Sequence, residues 1–174
     1  MTEGRSKPPS EANDWDPSTR PDDRPMGEAL AQHHRGIEAA FTATVMRAKA
    51  GYDPLVLRRA WDGFEGELLK HMAIEENDLF PQFERIHGEE ARALRVEHDV
   101  VRERLFELGL ALSLHQLRTP AIAEFAARLR THALREDLLL YPWIERHLSP
   151  DSWYALGSSL SDDHALARIV SSRS

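Results

Sequence analysis

Four histidines and two glutamates carry the chemistry that this sequence offers: His34, His71-x-x-x-Glu75, His98 and His132-x-x-x-Glu136. A histidine and a glutamate four residues apart share one face of a helix, so each HxxxE pair presents two donors in the same direction. Imidazole nitrogen together with carboxylate oxygen suits iron, manganese or zinc. The chain of 174 residues has nine histidines and no cysteine, which excludes Fe–S clusters, thiolate zinc sites and thiol catalysis.

The elements that must position these donors are helices. From Pro25 onward leucine, alanine, arginine and glutamate dominate, a helix-forming vocabulary. Apolar residues recur with spacings of three and four. The series are Leu30, His34, Ile37, Phe41, Thr44; Leu57, Trp61, Phe64, Leu68, His71, Glu75, Asp78; Leu94, His98, Val101, Leu105, Leu108, Leu112; and Ile122, Phe125, Leu129, His132, Glu136, Leu139. Each reads as the inward seam of a helix. Gly51, Asp53-Pro54, Gly88 and Thr119-Pro120 mark the boundaries. The spacing predicts four helices near 26–50, 54–86, 89–112 and 120–148, in an all-α, antiparallel up-down-up-down four-helix bundle. Ser149-Pro150 opens an expected short helical appendage over 149–174, and Gly157 is placed to close that helix. Residues 1–24, with Pro8, Pro9, Pro17 and Pro21 among charges, read as a disordered tail.

Each of the four seams contains one of the histidines, and two carry a glutamate one turn further on. A lone histidine on an apolar face is ordinary; six ionisable groups on four faces need partners or a metal. In an antiparallel pair, residues equidistant from the turn lie at the same height. The midpoints of His34/His71, His71/His98 and His98/His132 all fall at or beside predicted turns, which puts the four histidines in one layer. A shift of 64 superimposes Ala29-Leu30-x-x-x-His34-x-x-Ile37 on Ala93-Leu94-x-x-x-His98-x-x-Val101. A shift of 61 superimposes His71-x-x-x-Glu75-Glu76-x-x-Leu79-Phe80-Pro81 on His132-x-x-x-Glu136-Asp137-x-x-Leu140-Tyr141-Pro142. A pseudo-symmetric repeat of this kind favours two metals, each with two imidazoles, bridged by two carboxylates. With a solvent-derived bridge, one position on each metal stays open to a diatomic or peroxide.

These residues resemble the hemerythrin-like HHE cation-binding family over roughly residues 26–148; the domain is placed at 25–148. The match is His34, His71-x-x-x-Glu75, His98 and His132-x-x-x-Glu136, with Leu-Phe-Pro and Leu-Tyr-Pro following the glutamates. The resemblance implies two non-haem iron ions with an oxo or hydroxo bridge, manganese or zinc being possible substitutes. It also implies that the chain binds or senses O₂, nitric oxide or peroxide, or handles iron, a peroxide-consuming di-iron enzyme being the alternative. One departure stands out. Oxygen-carrying hemerythrins place a fifth histidine four residues after the third-helix ligand, and here that residue is Arg102, whose guanidinium cannot ligate a metal. That favours sensing, redox turnover or iron handling over simple O₂ carriage.

Other readings are weaker. A ferritin-like centre needs two Glu-x-x-His motifs, and the one such spacing, Glu84-x-x-His87, sits at a helix end. A zinc hydrolase lacks a substrate cleft, and a metal-free bundle leaves the six polar groups to find other partners. His33 is expected to be exposed or to support a ligand from outside, and the same holds for Glu76 and Asp137. His87 and His115 fall in turns, while His147 and His164 are expected to be solvated. Trp61, Phe64 and Met72 read as packing, and Pro81 and Pro142 as distortions that let Phe80 and Tyr141 cover one end of the site. A net charge of −7, from 22 Lys+Arg against 29 Asp+Glu, argues against nucleic acid or an anionic membrane as partner. No long apolar run or secretory signal is visible, so the expected setting is cytoplasmic, with an unidentified redox or signalling partner.

Overall fold

The structure is a computed structural model that describes residues 26–148. Its helices are α1 (Met26–Lys49), α2 (Pro54–Ile74), α3 (Phe80–Phe83), α4 (Gly88–Ser113), α5 (Thr119–Arg135) and α6 (Tyr141–His147). Two five-residue π-helical turns, Glu75–Leu79 and Glu136–Leu140, join α2 to α3 and α5 to α6. The result is four rods in an antiparallel bundle, as the seams predict. The tail and the appendage expected from the sequence lie outside the described residues.

Local chemistry sets the rod ends. Asp53 accepts from the Leu55 and Val56 N–H groups at 2.8 and 3.4 Å, and Pro54 supplies the fixed φ of a first helical residue. Gly51, at φ 71°, turns the chain between α1 and α2.

The π-turns have a sequence cause. Pro81 and Pro142 have no N–H to give the carbonyl four residues back, and their rings crowd it. The chain accommodates this one residue earlier: the Phe80 N–H bonds the Glu75 carbonyl, and the Tyr141 N–H bonds the Glu136 carbonyl, both five residues back. The extra residue rotates everything downstream. The predicted seam positions Asp78 and Leu139 therefore face solvent, and Leu79 and Leu140 take their places in the core. The two predicted seam assignments fail because a 3.6-residue period does not run through a π-turn.

The core is divided in two. One cluster gathers Phe80, Phe83, Tyr141, Trp143 and Ile144 with Leu30 and Leu94. The other gathers Phe41, Trp61, Phe64, Leu68 and Phe125 with Val101 and Leu105. In the second, Phe41 meets Phe64 at 5.1 Å and Phe125 at 5.2 Å between ring centroids, in tilted and edge-on arrangements. Trp61 lies so close to α4 that a Cβ on Gly109 would stand 2.9 Å from its indole nitrogen. Thr44, the one hydroxyl in the α1 seam, donates to the Ala40 carbonyl at 2.9 Å and so costs the core little. Between the two clusters lies a layer of histidine and glutamate.

Candidate metal centre

Each rod sends one histidine into the layer, and each π-turn opens with the glutamate that accompanies it. Glu75, Glu136 and His98 are fully buried, His71 and His132 nearly so, while the His34 side chain keeps 11% of its surface exposed. Glu136 spans the layer, with Oε2 at 3.1 Å from His34 Nε2 and Oε1 at 3.2 and 3.4 Å from the Nε2 atoms of His132 and His98. Glu75 does the same, with Oε1 at 3.3 Å from His71 Nε2 and Oε2 at 3.4 Å from His98 Nε2. Two four-residue donor sets result: His34, His71, Glu75, Glu136 and His98, His132, Glu75, Glu136. In each, the donor atoms lie within 4.8 Å of one another, and the two carboxylates belong to both.

The donors are spaced for cations rather than for each other. Donor atoms about 2.1 Å from a shared metal stand roughly 3.0–3.5 Å apart, the range of the histidine–glutamate distances here. Direct hydrogen bonding satisfies only part of the layer: His34 Nε2 and His71 Nε2 lie 2.8 Å apart, while Glu75 Oε2, both Glu136 oxygens, His98 Nε2 and His132 Nε2 are buried without a hydrogen-bond partner. Without a cation the layer must hold protons instead. Burial opposes charge on His34, but Asp137 and Glu136 outweigh it and raise its pKa to about 10. His98 is likewise raised to about 10, burial being overcome by Glu136 and Glu75. Glu75 falls to about 2, because His71 and His98 outweigh both burial and the repulsion of Glu136.

Three of the four histidines are hydrogen-bonded from behind at Nδ1, and the fourth, His34, has a carboxylate facing that atom. His98 donates to Glu76 Oε1 at 2.8 Å, and Arg102 donates to the other Glu76 oxygen at 2.6 Å. His132 donates to Glu97 at 3.0 Å, and Glu97 is gripped by Arg135. His34 Nδ1 faces Asp137 at 3.4 Å. His71 Nδ1 lies 2.9 Å from His33 Nδ1, whose Nε2 lies 3.2 Å from Glu67. Such contacts fix the tautomer that leaves Nε2 facing inward. His33, Glu76 and Asp137 therefore support ligand candidates from outside, the second of the two roles their positions allowed, and Arg102 supports Glu76.

Two aromatic rings close the layer. Tyr141 O–H donates to Glu75 Oε1 at 2.8 Å and lies 3.0 Å from His34 Nε2 and 3.4 Å from His71 Nε2. Its counterpart Phe80 packs on His98 with centroids 5.1 Å apart, and Arg95 covers that ring at 5.3 Å. The expected cover is thus present, but Tyr141 also puts a hydroxyl among the donors. Glu97 and that hydroxyl were missed by sequence reasoning. The shift of 64 that pairs His34 with His98 also pairs His33 with Glu97, so the repeat carried the signal.

The family model for the hemerythrin HHE cation-binding domain matches residues 26–144. The chain belongs to the hemerythrin HHE family. A hemerythrin-like protein of Schizosaccharomyces pombe is 27% identical over 138 residues, covering 77% of this chain and 66% of that protein. The chain thus spans just under two thirds of that relative's length. No solved structure matches. As an HHE domain, the bundle brings the six donors together and leaves three further histidines apart: His87 lies tilted against Phe83 at 4.9 Å, His147 donates to the Trp143 carbonyl, and His115 sits in the α4–α5 turn at φ 56°. Glu84 and His87 are both exposed and outside the donor sets. His164 lies outside the described residues.

Proposed function

We propose that this HHE protein holds two non-haem irons through His34, His71, His98, His132, Glu75 and Glu136, and uses them to bind or sense O₂, nitric oxide or peroxide. The observation that carries this reading is the pair of donor sets sharing two carboxylates. The all-nitrogen-and-oxygen donor chemistry fits iron and is equally open to manganese or zinc. Iron there would supply a redox-active pair able to take up a small ligand.

The protein's own contribution follows from its contacts. Glu76, Glu97, Asp137 and His33 hold the imidazoles by Nδ1 and orient their Nε2 atoms inward. The two apolar clusters exclude bulk water above and below the layer. Tyr141 fixes one Glu75 oxygen and keeps a hydroxyl beside the His34–His71 position. The cytoplasmic setting belongs to the same proposal; among the described residues no helix is long and apolar enough to cross a membrane.

Metal analysis combined with the visible spectrum of reduced, then aerated, protein tests the reading. Two irons per chain and new charge-transfer absorption on aeration are expected. Zinc, or no metal, in protein from iron-replete cells overturns it. Peroxide decay by the same samples separates a peroxide-consuming enzyme from a binding module.

A further inference from the structure

The donor layer is sealed by apolar clusters along the bundle axis, so a small molecule must reach it sideways, between rods. Among the described residues, two clefts touch the layer. One, of about 350 Å³ between α1 and α5, is lined at its inner end by His34, His71 and His132 and at its rim by the exposed Arg130 and Leu134. It therefore reaches from the surface to histidines of both donor sets. The other, of about 390 Å³ between α4 and α5, meets His132 alone of the six, and Glu97 in that cleft already occupies the Nδ1 of that ring.

Exposure points the same way. His34 retains 11% of its side-chain surface, against 2% for His71, 0% for His98 and 6% for His132. The α1–α5 cleft carries charged Arg35, Glu38, Arg130 and Asp137 as well as an apolar, partly small wall of Ala31, Ala133, Ile37, Leu68 and Leu129. The charged side chains oppose one another in sign, and the apolar wall suits a neutral molecule of two or three atoms better than a strongly hydrated ion. Across the mouth, Glu38 on α1 pairs with Arg130 on α5.

We infer that the α1–α5 cleft is the access route and holding pocket for a neutral diatomic ligand, with the Glu38–Arg130 pair as a latch across its mouth. This rests on the di-iron reading for its destination, while the pocket itself does not. A charged pair at a half-exposed rim is weakly held, so it opens without disturbing the core. Ala31 and Ala133 set the width, because a longer side chain at either projects into the cleft.

Stopped-flow association of nitric oxide with the reduced, iron-loaded full chain tests the route, each variant being checked for iron content. Ala31→Leu and Ala133→Leu should slow association by about tenfold or more. Glu38→Gln should quicken it, and Val100→Phe, which fills the α4–α5 cleft, should leave it unchanged. Wild-type rates in both alanine variants, or equal slowing by Val100→Phe, overturn the route. Xenon titration followed by ¹²⁹Xe NMR on the same full-length proteins reads the pocket whether or not iron is bound. A xenon shift lost in Ala31→Leu and kept in Val100→Phe supports the pocket; no shift in the wild type, or one unaffected by Ala31→Leu, overturns it. Low iron with an intact xenon signal thus faults the di-iron reading alone.

Discussion

The two halves of the histidine layer are built by one repeated plan and finished differently. His34 and His71 form one half, His98 and His132 the other, and both share Glu75 and Glu136. Behind the rings, His132 has a carboxylate, Glu97, locked by Arg135, where His71 has the ring of His33 leading on to Glu67. In front, the first half faces the Tyr141 hydroxyl and the second faces the Phe80 ring. The difference teaches that shared donors fix where cations sit, and unshared neighbours set how each position behaves. A carboxylate directly behind an imidazole raises its basicity more than one reached through a second imidazole, and a hydroxyl beside a position can hydrogen-bond what arrives there.

The largest perturbation abolishes the comparison altogether. Glu136→Ala removes a donor from both halves, and metal analysis should fall from two ions per chain towards none. His71→Ala removes a donor from one half, so stoichiometry should fall towards one, and His115→Ala should leave it at two. Next come the outer partners. Glu97→Gln should weaken the second position by about 10–100-fold in chelator competition, and His33→Asn should weaken the first by less. Tyr141→Phe makes the fronts alike. It removes a hydrogen bond to a buried carboxylate, so the metal-free protein should lose about 1.5–3 kcal/mol in denaturant unfolding, and Phe80→Tyr should not restore it.

Acidity acts on both halves: His132 is raised as well, and His34 and His98, one in each half, are raised to about 10. Their contribution to metal-free stability is complete below the ordinary histidine value of 6.5 and is lost as pH rises through about 10. That of Glu75 is complete above 4.5 and is lost as pH falls through about 2. The melting temperature of the metal-free protein should therefore peak between pH 4.5 and 6.5 and decline on both sides. Bound metal displaces these protons, so the metal-loaded protein should be flatter across the same range.

The seams, the turns and the convergence of the six donors were legible because each leaves a period or a spacing in the sequence. Asp78 and Leu139 were misplaced because a π-turn has no period of its own, although Pro81 and Pro142 announced some distortion nearby. Glu76 and Asp137 had two open roles, since the direction of a residue inside that turn depends on the extra residue. The Tyr141 hydroxyl was beyond reach for a different reason. It serves histidines from the other repeat, and which rod lies opposite a π-turn is a tertiary fact.

That crossing has a consequence for the repeat as a unit. The π-turn of the first helix pair and the residue after it supply Glu76 and Phe80 to His98 of the second, while the corresponding segment of the second supplies Asp137 and Tyr141 to His34 of the first. A single pair made by itself would carry two imidazoles, one carboxylate and a turn whose side chains reach into nothing. Set beside a copy of itself across a two-fold axis, it would complete both positions at once. The chain is in this sense a homodimer written as one polypeptide, and joining the copies is what allowed Tyr141 and Phe80, or Glu97 and His33, to differ.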